Sequence, residues 1–568
     1  MTSTEKNWMI KPAADSIAVK QLADDLNISL TLSNLLVQRG ITNFQEAKYF
    51  FRPEIDHLHD PFLMKDMDKA IERILLAIER KEKILIYGDY DVDGTTAVAL
   101  VYSFLKSRHD NIDYYIPNRY VEGYGISTQS IEFAAKEGIH LIIALDCGIK
   151  SMDKVDMAKE KGIDFIICDH HLPEEKIPDA IAVLDPKRVD CLYPFKELSG
   201  CGIGFKLIQA FAEKTGIDFE TLIPYLDLVV VSIAADIVHI TDENRVLAHF
   251  GLKQLNESPR PGFKALIALS NVKKPSMSIT DIVFTIGPRI NAAGRIEDAK
   301  EAVKLLISTT EEAANASGIV INSKNTERIT LDHDITKQAM EMVANDQNFH
   351  LKKSNVLYNT HWSKGVIGIV ASRLTEKFYK PTIVLTNFEG VVSGSARSVK
   401  RFDVYKAIAA CKDLLTQFGG HQFAAGLTMK PENVDAFIEK FEQIVSSTID
   451  DDMLVQEIEI DAEVDFAELT PKFSRILKQF GPFGPGNMAP IFTTKDVRYK
   501  SLRVLKDTHL AVTVGSGNVH MDAIGFNLGF HEQKVKENKP FSICYSVEEN
   551  IWQGNTSTKL HLKDIKHN

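Results

Sequence analysis

The sequence predicts an α/β fold with a parallel sheet in its principal lobe. Short apolar runs alternate with amphipathic stretches between 83 and 240, those runs show no polar face, and several of them end directly in aspartate or histidine. The runs are ILIY (84–87), IDYYI (112–116), LIIAL (141–145), DFIIC (164–168) and IAVL (181–184), separated by helical patterns such as TTAVALVYSFLK and SMDKVDMAKEKG. This alternation reads as successive βαβ units. Strands covered by helices on both faces need apolar side chains throughout, which explains why the runs lack a polar face.

The remaining elements follow in order. The stretch 298–345 contains no proline and a single glycine, and predicts one or two long connecting helices. A second α/β pattern occupies 355–447, with strands near 356–358 and 382–385 and a helix near 366–378. STIDDDM reads as a solvated linker. After GPFGPGNMAP (481–490) come HLAVTV, HMDAIGF, FSICYSV and KLHLKDI, short β-rich pieces that suggest a small barrel. The expected boundaries are an N-terminal segment at 1–65, a catalytic domain at 66–297, a helical connector at 298–350, a second α/β lobe at 351–450, and a linker with barrel at 451–568.

Composition is that of an ordinary globular protein, 44% hydrophobic and 25% charged over 568 residues. The first twenty residues lack the apolar centre of a signal peptide, and no run reaches the ~18 apolar residues of a membrane span, so a cytoplasmic protein with no membrane association is expected. Six cysteines without C-x-x-C spacing exclude a zinc ribbon or a redox pair and predict buried thiols. A net charge of −11 points away from a protein that coats nucleic acid. Two divalent cations would change it to −11 + 4 = −7, so global charge does not decide the substrate.

Chemistry concentrates at the ends of the apolar runs. In GDYDVDGTTA, Asp89, Asp91 and Asp93 fall within five residues, between ILIY and a helix starting near Thr95. Such carboxylates repel one another unless a cation offsets them, and Gly88 and Gly94 allow a tight turn around it; the alternative is an acidic surface turn with a helix cap. LIIAL leads into Asp146, DFIIC into Asp169, His170 and His171, and the apolar LVVVSIAA into Asp236. Acids and imidazoles in matching positions at the carboxyl edge of a parallel sheet occupy the usual ligand site of open α/β folds. Mixed carboxylate and imidazole ligands suit Mn²⁺ or Mg²⁺, and two such ions ~3.5–4 Å apart can clamp a phosphodiester.

DYDVDG (89–94), DCG (146–148) and DHH (169–171) together resemble the signature set of the DHH phosphoesterases. That resemblance implies metal ligation by Asp91, Asp93, Asp146, His170 and Asp236, with Asp146 bridging two divalent ions, Mn²⁺ or Mg²⁺. It further implies catalytic roles for His171, facing the scissile phosphate, and for Asp89. IPNRYVEGYGIS (116–127), ADIVHITDENR (235–245) and GPRINAAGR (287–295) resemble the single-strand DNA exonuclease branch of the family. GVIGIVASRL (365–374), SGSARS (393–398) and GGHQFAAG (419–426) resemble its associated DHHA1 domain. The implied architecture is a DHH catalytic lobe, helical connector, DHHA1 lobe and C-terminal OB-fold barrel. The implied activity is 5′-to-3′ hydrolysis of single-stranded DNA to mononucleotides in repair and recombination, by a monomer working with a helicase and a single-strand-binding protein. Trp362 is followed by Ser363 and Lys364 where that branch commonly has histidine, so no role of that histidine carries over.

Arg119, Arg289, Arg295 and Arg397 lie in segments that read as Gly- or Asn-containing loops, and suit phosphate contacts as well as structural ion pairs. With Asn291, Ser395 and His421 from the same motifs they form the expected substrate-binding set; Arg119, Ser395 and Arg397 are implied by resemblance to seat the 5′ end. Lys495, Arg498, Lys500, Arg503 and Lys506 in TTKDVRYKSLRVLK resemble an OB-fold surface tracking a single strand, or form an ordinary solvated face. The rival functions are a short-oligonucleotide or cyclic-dinucleotide phosphodiesterase and an inactive DNA-binding replication factor.

Overall fold

The computed structural model describes residues 5–270, 272, 274–296, 298–552 and 555–567. Contacts divide the chain into two units, one of Ile10–Asn322 with Glu459–Asn568 and one of Met1–Met9 with Ser323–Ile458. All six cysteines are buried. Among the described residues no helix is long and apolar enough to cross a membrane.

The larger unit contains the expected parallel sheet. Its strands are β1 (Ile84–Gly88), β2 (Ile112–Tyr115), β3 (Leu141–Leu145), β4 (Asp164–Cys168) and β5 (Ala182–Leu184), in the order β2-β1-β3-β4-β5. All neighbours pair in parallel, with Ile84 opposite both Ile112 and Leu141. Alternate residues feed two cores: Ile84, Ile86, Ile143 and Leu145 join one, while Leu85, Tyr87, Ile142 and Ala144 join the other. Helix cover on both faces thus accounts for β1 and β3, which are buried along their whole length.

LVVVSIAA departs from the pattern. Asp236 is expected to match the strand-end acids, but it caps the C-terminus of a helix, Leu226–Ala235, buried at every residue from Leu226 to Ala234. A short run buried on every side carries no periodicity to separate helix from strand.

Three short helices, Ser16–Leu26, Leu30–Val37 and Phe44–Phe51, open the chain, capped by the side chains of Asp15, Ser29 and Asn43. Their Leu22, Leu32, Leu35 and Leu36 share a core with Phe492, Val497, Leu510 and Tyr545 of the C-terminal region.

The smaller unit is entered through a 35-residue helix, Glu311–Asn345. It contains β6 (Asn355–Tyr358), β7 (Thr382–Phe388), β8 (Val391–Arg397), β9 (Gln417–His421) and β10 (Ala424–Met429), ordered β9-β10-β8-β7-β6. Val392 and Ala396 of β8 enter the core that Val434, Phe437, Phe441 and Val445 of helix Val434–Thr448 also fill. Period-two alternation places Ser393, Ser395 and Arg397 on the opposite face of β8.

Beyond it, β11 (Ala462–Glu463) adds in parallel to β12 (Phe492–Leu505). The barrel continues through β13 (His509–Ser516), β14 (Val519–Gly525), β15 (Phe541–Trp552) and β16 (Asn555–His567) in the order β12-β13-β14-β16-β15, and β15 pairs back onto β12 to close it. Register shifts in β12, between Thr494 and Val497 and between Tyr499 and Ser501, give the long strand the bends closure requires.

Candidate metal centre

The site lies at the carboxyl edge of the parallel sheet. β1 runs out at Gly88, and Asp91 caps the helix Val92–Lys106 by accepting the Gly94 N–H at 3.0 Å. The turn is so tight that a Cβ on Gly94 would lie 2.4 Å from the Asp89 carbonyl oxygen. Asp93, in the first helical turn, accepts the Gly200 and Cys201 N–H groups and the Ser232 hydroxyl, each at 2.7 Å. The N-terminus of helix Gly200–Thr215 therefore offsets part of its charge.

Asp146 follows β3 with φ 59, in the left-handed region. A Cβ on Gly200 would stand 2.6 Å from the Asp146 Cβ, so glycine there admits this carboxylate to the site. His170 completes the cluster: its Nε2 lies 3.2 Å from Asp146 Oδ1, 3.5 Å from Asp236 Oδ2 and 3.8 Å from Asp93 Oδ2. Asp93, His170 and Asp236 bring ligand atoms within 4.8 Å of one another, as do Asp89, Asp91 and Asp146.

Electrostatics show what this arrangement demands. Burial, then the neighbouring Asp93, raises the carboxyls of Asp146 and Asp236, the latter to about 8. Burial, then Asp91, raises Asp89. Burial lowers the imidazolium pKa of His170. Asp89 Oδ1 and His170 Nδ1 have no hydrogen-bond partner among the described residues. Packed acids that disfavour their own ionisation, beside a neutral imidazole, fit divalent cations.

Asp169 turns away from the cluster and fastens the DHH segment. Its Oδ1 accepts from His171 Nδ1 at 2.7 Å and from the His170 and His171 N–H groups, while Oδ2 accepts the Ile149 N–H at 2.9 Å. Burial would raise its carboxyl, but the His171 hydrogen bond and charge outweigh that and hold it at about 2. The same bond outweighs burial at His171 and raises the imidazole to about 9. His171 Nε2 is left facing outward, 3.0 Å from the Tyr124 hydroxyl. Tyr124 stands between Gly123 and Gly125, at φ 82 and 81.

This geometry is that of a metal-dependent phosphoesterase of the DHH class. Residues 83–233 match the DHH family N-terminal domain, 352–447 the DHHA1 domain and 460–564 the RecJ OB domain. The chain belongs to the RecJ family: it is 35% identical over 568 residues to a single-stranded-DNA-specific exonuclease RecJ of Bacillus subtilis, covering 99% of this chain and 71% of that one. The structure of RecJ from Thermus thermophilus with Mn²⁺ shares its fold, with a TM-score of 0.85, 24% identity and coverage of 99% of this chain and 80% of that one. A further exonuclease RecJ, bound to manganese, is 28% identical with a TM-score of 0.60 over 68% of this chain and 96% of that one.

The expected substrate residues divide between the units. In the larger one, Arg119 lies over the Tyr90 ring at 5.0 Å, beside the metal turn. Arg289, Asn291 and Arg295 belong to a helix, Gly287–Ile296, rather than the expected loop. Pro288 reads as a helix breaker, but a π-helical turn, Ile282–Ile286, precedes it and accommodates the missing N–H. Arg289 donates to the Thr285 carbonyl at 2.7 Å and Asn322 at 3.1 Å, and the Arg295 carbonyl accepts from the Tyr120 hydroxyl. A Cβ on Gly294 would lie 3.0 Å from the Tyr90 carbonyl oxygen, which brings this helix against the metal turn.

In the smaller unit, Arg397 ends strand β8 rather than occupying a loop. It donates to the hydroxyls of Ser395 and Ser372, both at 3.1 Å. Gly368, in the first turn of helix Ile367–Phe378, leaves the space where a Cβ would approach Ser395 Oγ at 3.0 Å and Arg397 Nη2 at 3.1 Å. His421, at the end of β9, is exposed.

The five basic residues of the barrel do not act as one face. Lys495 pairs with Glu463 at 2.6 Å, and Arg498 donates to the Asn538 carbonyl at 2.7 Å. Lys500 falls at the bulge and Lys506 just beyond β12, both exposed. Arg503 lines an open groove of about 370 Å³ with Ser501, Thr513, Asp522, Thr558 and Lys559. Sequence reasoning missed Lys559, which lies far along the chain from the basic run, and passed over Tyr124 within a motif it had quoted.

Proposed function

We propose that this protein is an exonuclease that hydrolyses single-stranded DNA from the 5′ end to mononucleotides at a two-metal centre. The observation that carries it is the convergence of Asp93, Asp146 and Asp236 on His170, with Asp89 and Asp91 gathered against Asp146, in a chain of the RecJ family. Asp91, Asp93, Asp146, His170 and Asp236 would hold two divalent ions, Mn²⁺ or Mg²⁺. Bound there, the ions supply Lewis-acid polarisation of a phosphoryl oxygen and a water ionised at neutral pH.

The protein's own groups do the rest. Asp169 fixes the His171 ring so that Nε2 faces outward, where it stabilises charge developing on the scissile phosphate. Asp89 completes the carboxylate turn. Arg119, Ser395 and Arg397 seat the 5′ end of the strand, whose terminal phosphate brings extra charge and free oxygens that a guanidinium reads in bidentate fashion. Arg289, Asn291, Arg295 and His421 engage the strand beside it. The barrel, through Arg503 and its basic neighbours, engages the strand further along. A cytoplasmic, monomeric enzyme acting in repair and recombination beside a helicase and a single-strand-binding protein belongs to the same reading.

Digestion of 5′-labelled and 3′-labelled single strands with Mn²⁺ or Mg²⁺ tests it. Early release of the 5′ label as a mononucleotide is expected; early release of the 3′ label or endonucleolytic fragments would overturn it.

A further inference from the structure

ADIVHITDENR and GPFGPGNMAP stood out in the sequence, and the structure joins them. Asp236 ends its helix, Ile237 follows at φ 59 with its side chain largely exposed, and Ile240 is then buried. The Ile240 N–H donates to the Pro485 carbonyl at 2.7 Å. A Cβ on Gly484 would lie 2.5 Å from Ile240 Cδ1, and one on Gly486, at φ 73, would lie 2.9 Å from Thr241 Cγ2. Asn244 closes the turn from the other side by donating to the His239 carbonyl at 2.9 Å.

The contact is braced at its base. Arg245, 5% exposed, donates to the carbonyls of Phe480 and Gly481 at 2.9 Å and of Gln479 at 3.3 Å, and also to that of Phe50. Asn487, 2% exposed, donates to the Phe480 and Pro482 carbonyls at 2.8 and 2.9 Å, holding the loop in shape. Both ends of loop 479–488 belong to the barrel side. The helix before it, Pro471–Lys478, contacts barrel strands through Lys478 to Glu549 at 2.6 Å and Ser474 to Thr558 at 3.0 Å. The chain after it enters β12.

We infer that loop 479–488 is a strut that positions Asp236, and that it couples strand binding on the barrel to metal affinity at the catalytic centre. A left-handed isoleucine is a strained conformation that persists only where its surroundings hold it, and the strut supplies that hold four residues from the carboxylate. Coupling of this kind is reciprocal: a strand on the barrel tightens the metal site, and metal tightens the strand. The inference rests on the assignment of Asp236 as a ligand.

The test uses full-length protein, its Asn487→Ala and Gly486→Ala variants, and Asp236→Ala as control. Mn²⁺ binding is followed by electron paramagnetic resonance with and without a long phosphorothioate strand, and Mn²⁺ dependence is followed with a dinucleotide. In the parent the strand should raise Mn²⁺ affinity. In the strut variants, checked as folded by circular dichroism, that gain should be lost and half-saturation by Mn²⁺ should rise about 5-fold or more. Parent-like Mn²⁺ binding and strand response in both folded variants overturns the strut while leaving the ligand assignment intact. Unchanged Mn²⁺ binding and activity in Asp236→Ala overturns the assignment itself.

Discussion

His171 and Tyr124 face each other across the mouth of the metal centre, with Nε2 and the phenol oxygen 3.0 Å apart. Asp169 already fixes the other ring nitrogen, so the Tyr124 hydroxyl is the group that a phosphate oxygen must displace if His171 is to meet it in turnover. Tyr124→Phe is expected to lower KM with little change in kcat, because the strand no longer displaces a hydroxyl. A fall in kcat at constant KM would show instead that the phenol takes part in turnover.

His171→Ala should lose roughly 10²–10³-fold in kcat, the scale of removing one group that stabilises transition-state charge. Its Mn²⁺ content should stay near that of the parent, whereas His170→Ala should lose metal. Equal metal loss in the two variants would exchange their roles.

Gly200→Ala probes the approach that admits Asp146. Its Cβ would stand 2.6 Å from the Asp146 Cβ, so the carboxylate must move and hydrolysis should fall nearly as far as in Asp146→Ala. Metal analysis beside activity separates displacement of the ligand from general unfolding.

Removing metal should make stability depend on pH. The Asp236 carboxyl is raised to about 8, against ~4 in an unfolded chain, so its protonation stabilises the metal-free fold. That contribution is complete below ~4 and is lost as pH rises through about 8. The Tm of chelator-treated protein should therefore lose this contribution as pH rises from ~4 to about 8, and saturating Mn²⁺ should remove most of the decline. A flat profile without metal would mean that these carboxylates do not repel one another as their packing implies.

Two substitutions separate a terminal-phosphate role from barrel binding. Arg397→Ala should narrow the preference for 5′-phosphate over 5′-hydroxyl ends by ~10-fold or more, the value of a charged hydrogen bond. Arg503→Ala should raise KM for long strands, less so at high salt, and leave dinucleotides unaffected. Lys495→Ala, whose ammonium already pairs with Glu463, should do less than Arg503→Ala. Identical length and salt profiles for the two lysine and arginine variants would remove the groove from the strand's path.

The parallel sheet was legible because its central strands are buried on both faces and so lack a polar face, and most of the metal cluster because acids and imidazoles end those strands. Asp236 was found as a residue but not as a helix cap, since LVVVSIAA, buried up to Ala234, carries no periodicity. GPRINAAGR reads as a loop from its composition, yet a π-helical turn carries the helix through Pro288. The N-terminal helices were passed over as a segment because their apolar faces find a partner more than 400 residues later, in a core shared with Leu477 and Phe492. Pairings of that range leave no local pattern, and neither does the choice of which lysines and arginines are spent on carboxylates and carbonyls.

Asp91 sits in the acid cluster and also caps the helix behind β1. A lineage that abandons catalysis is freed from the first duty but not the second. Decayed copies of this gene should therefore drift at 91 mainly to asparagine, serine or threonine, which still accept the Gly94 N–H, while 236 wanders without such restriction. The residue found at 91 would then record whether the helix is still needed after the chemistry has gone.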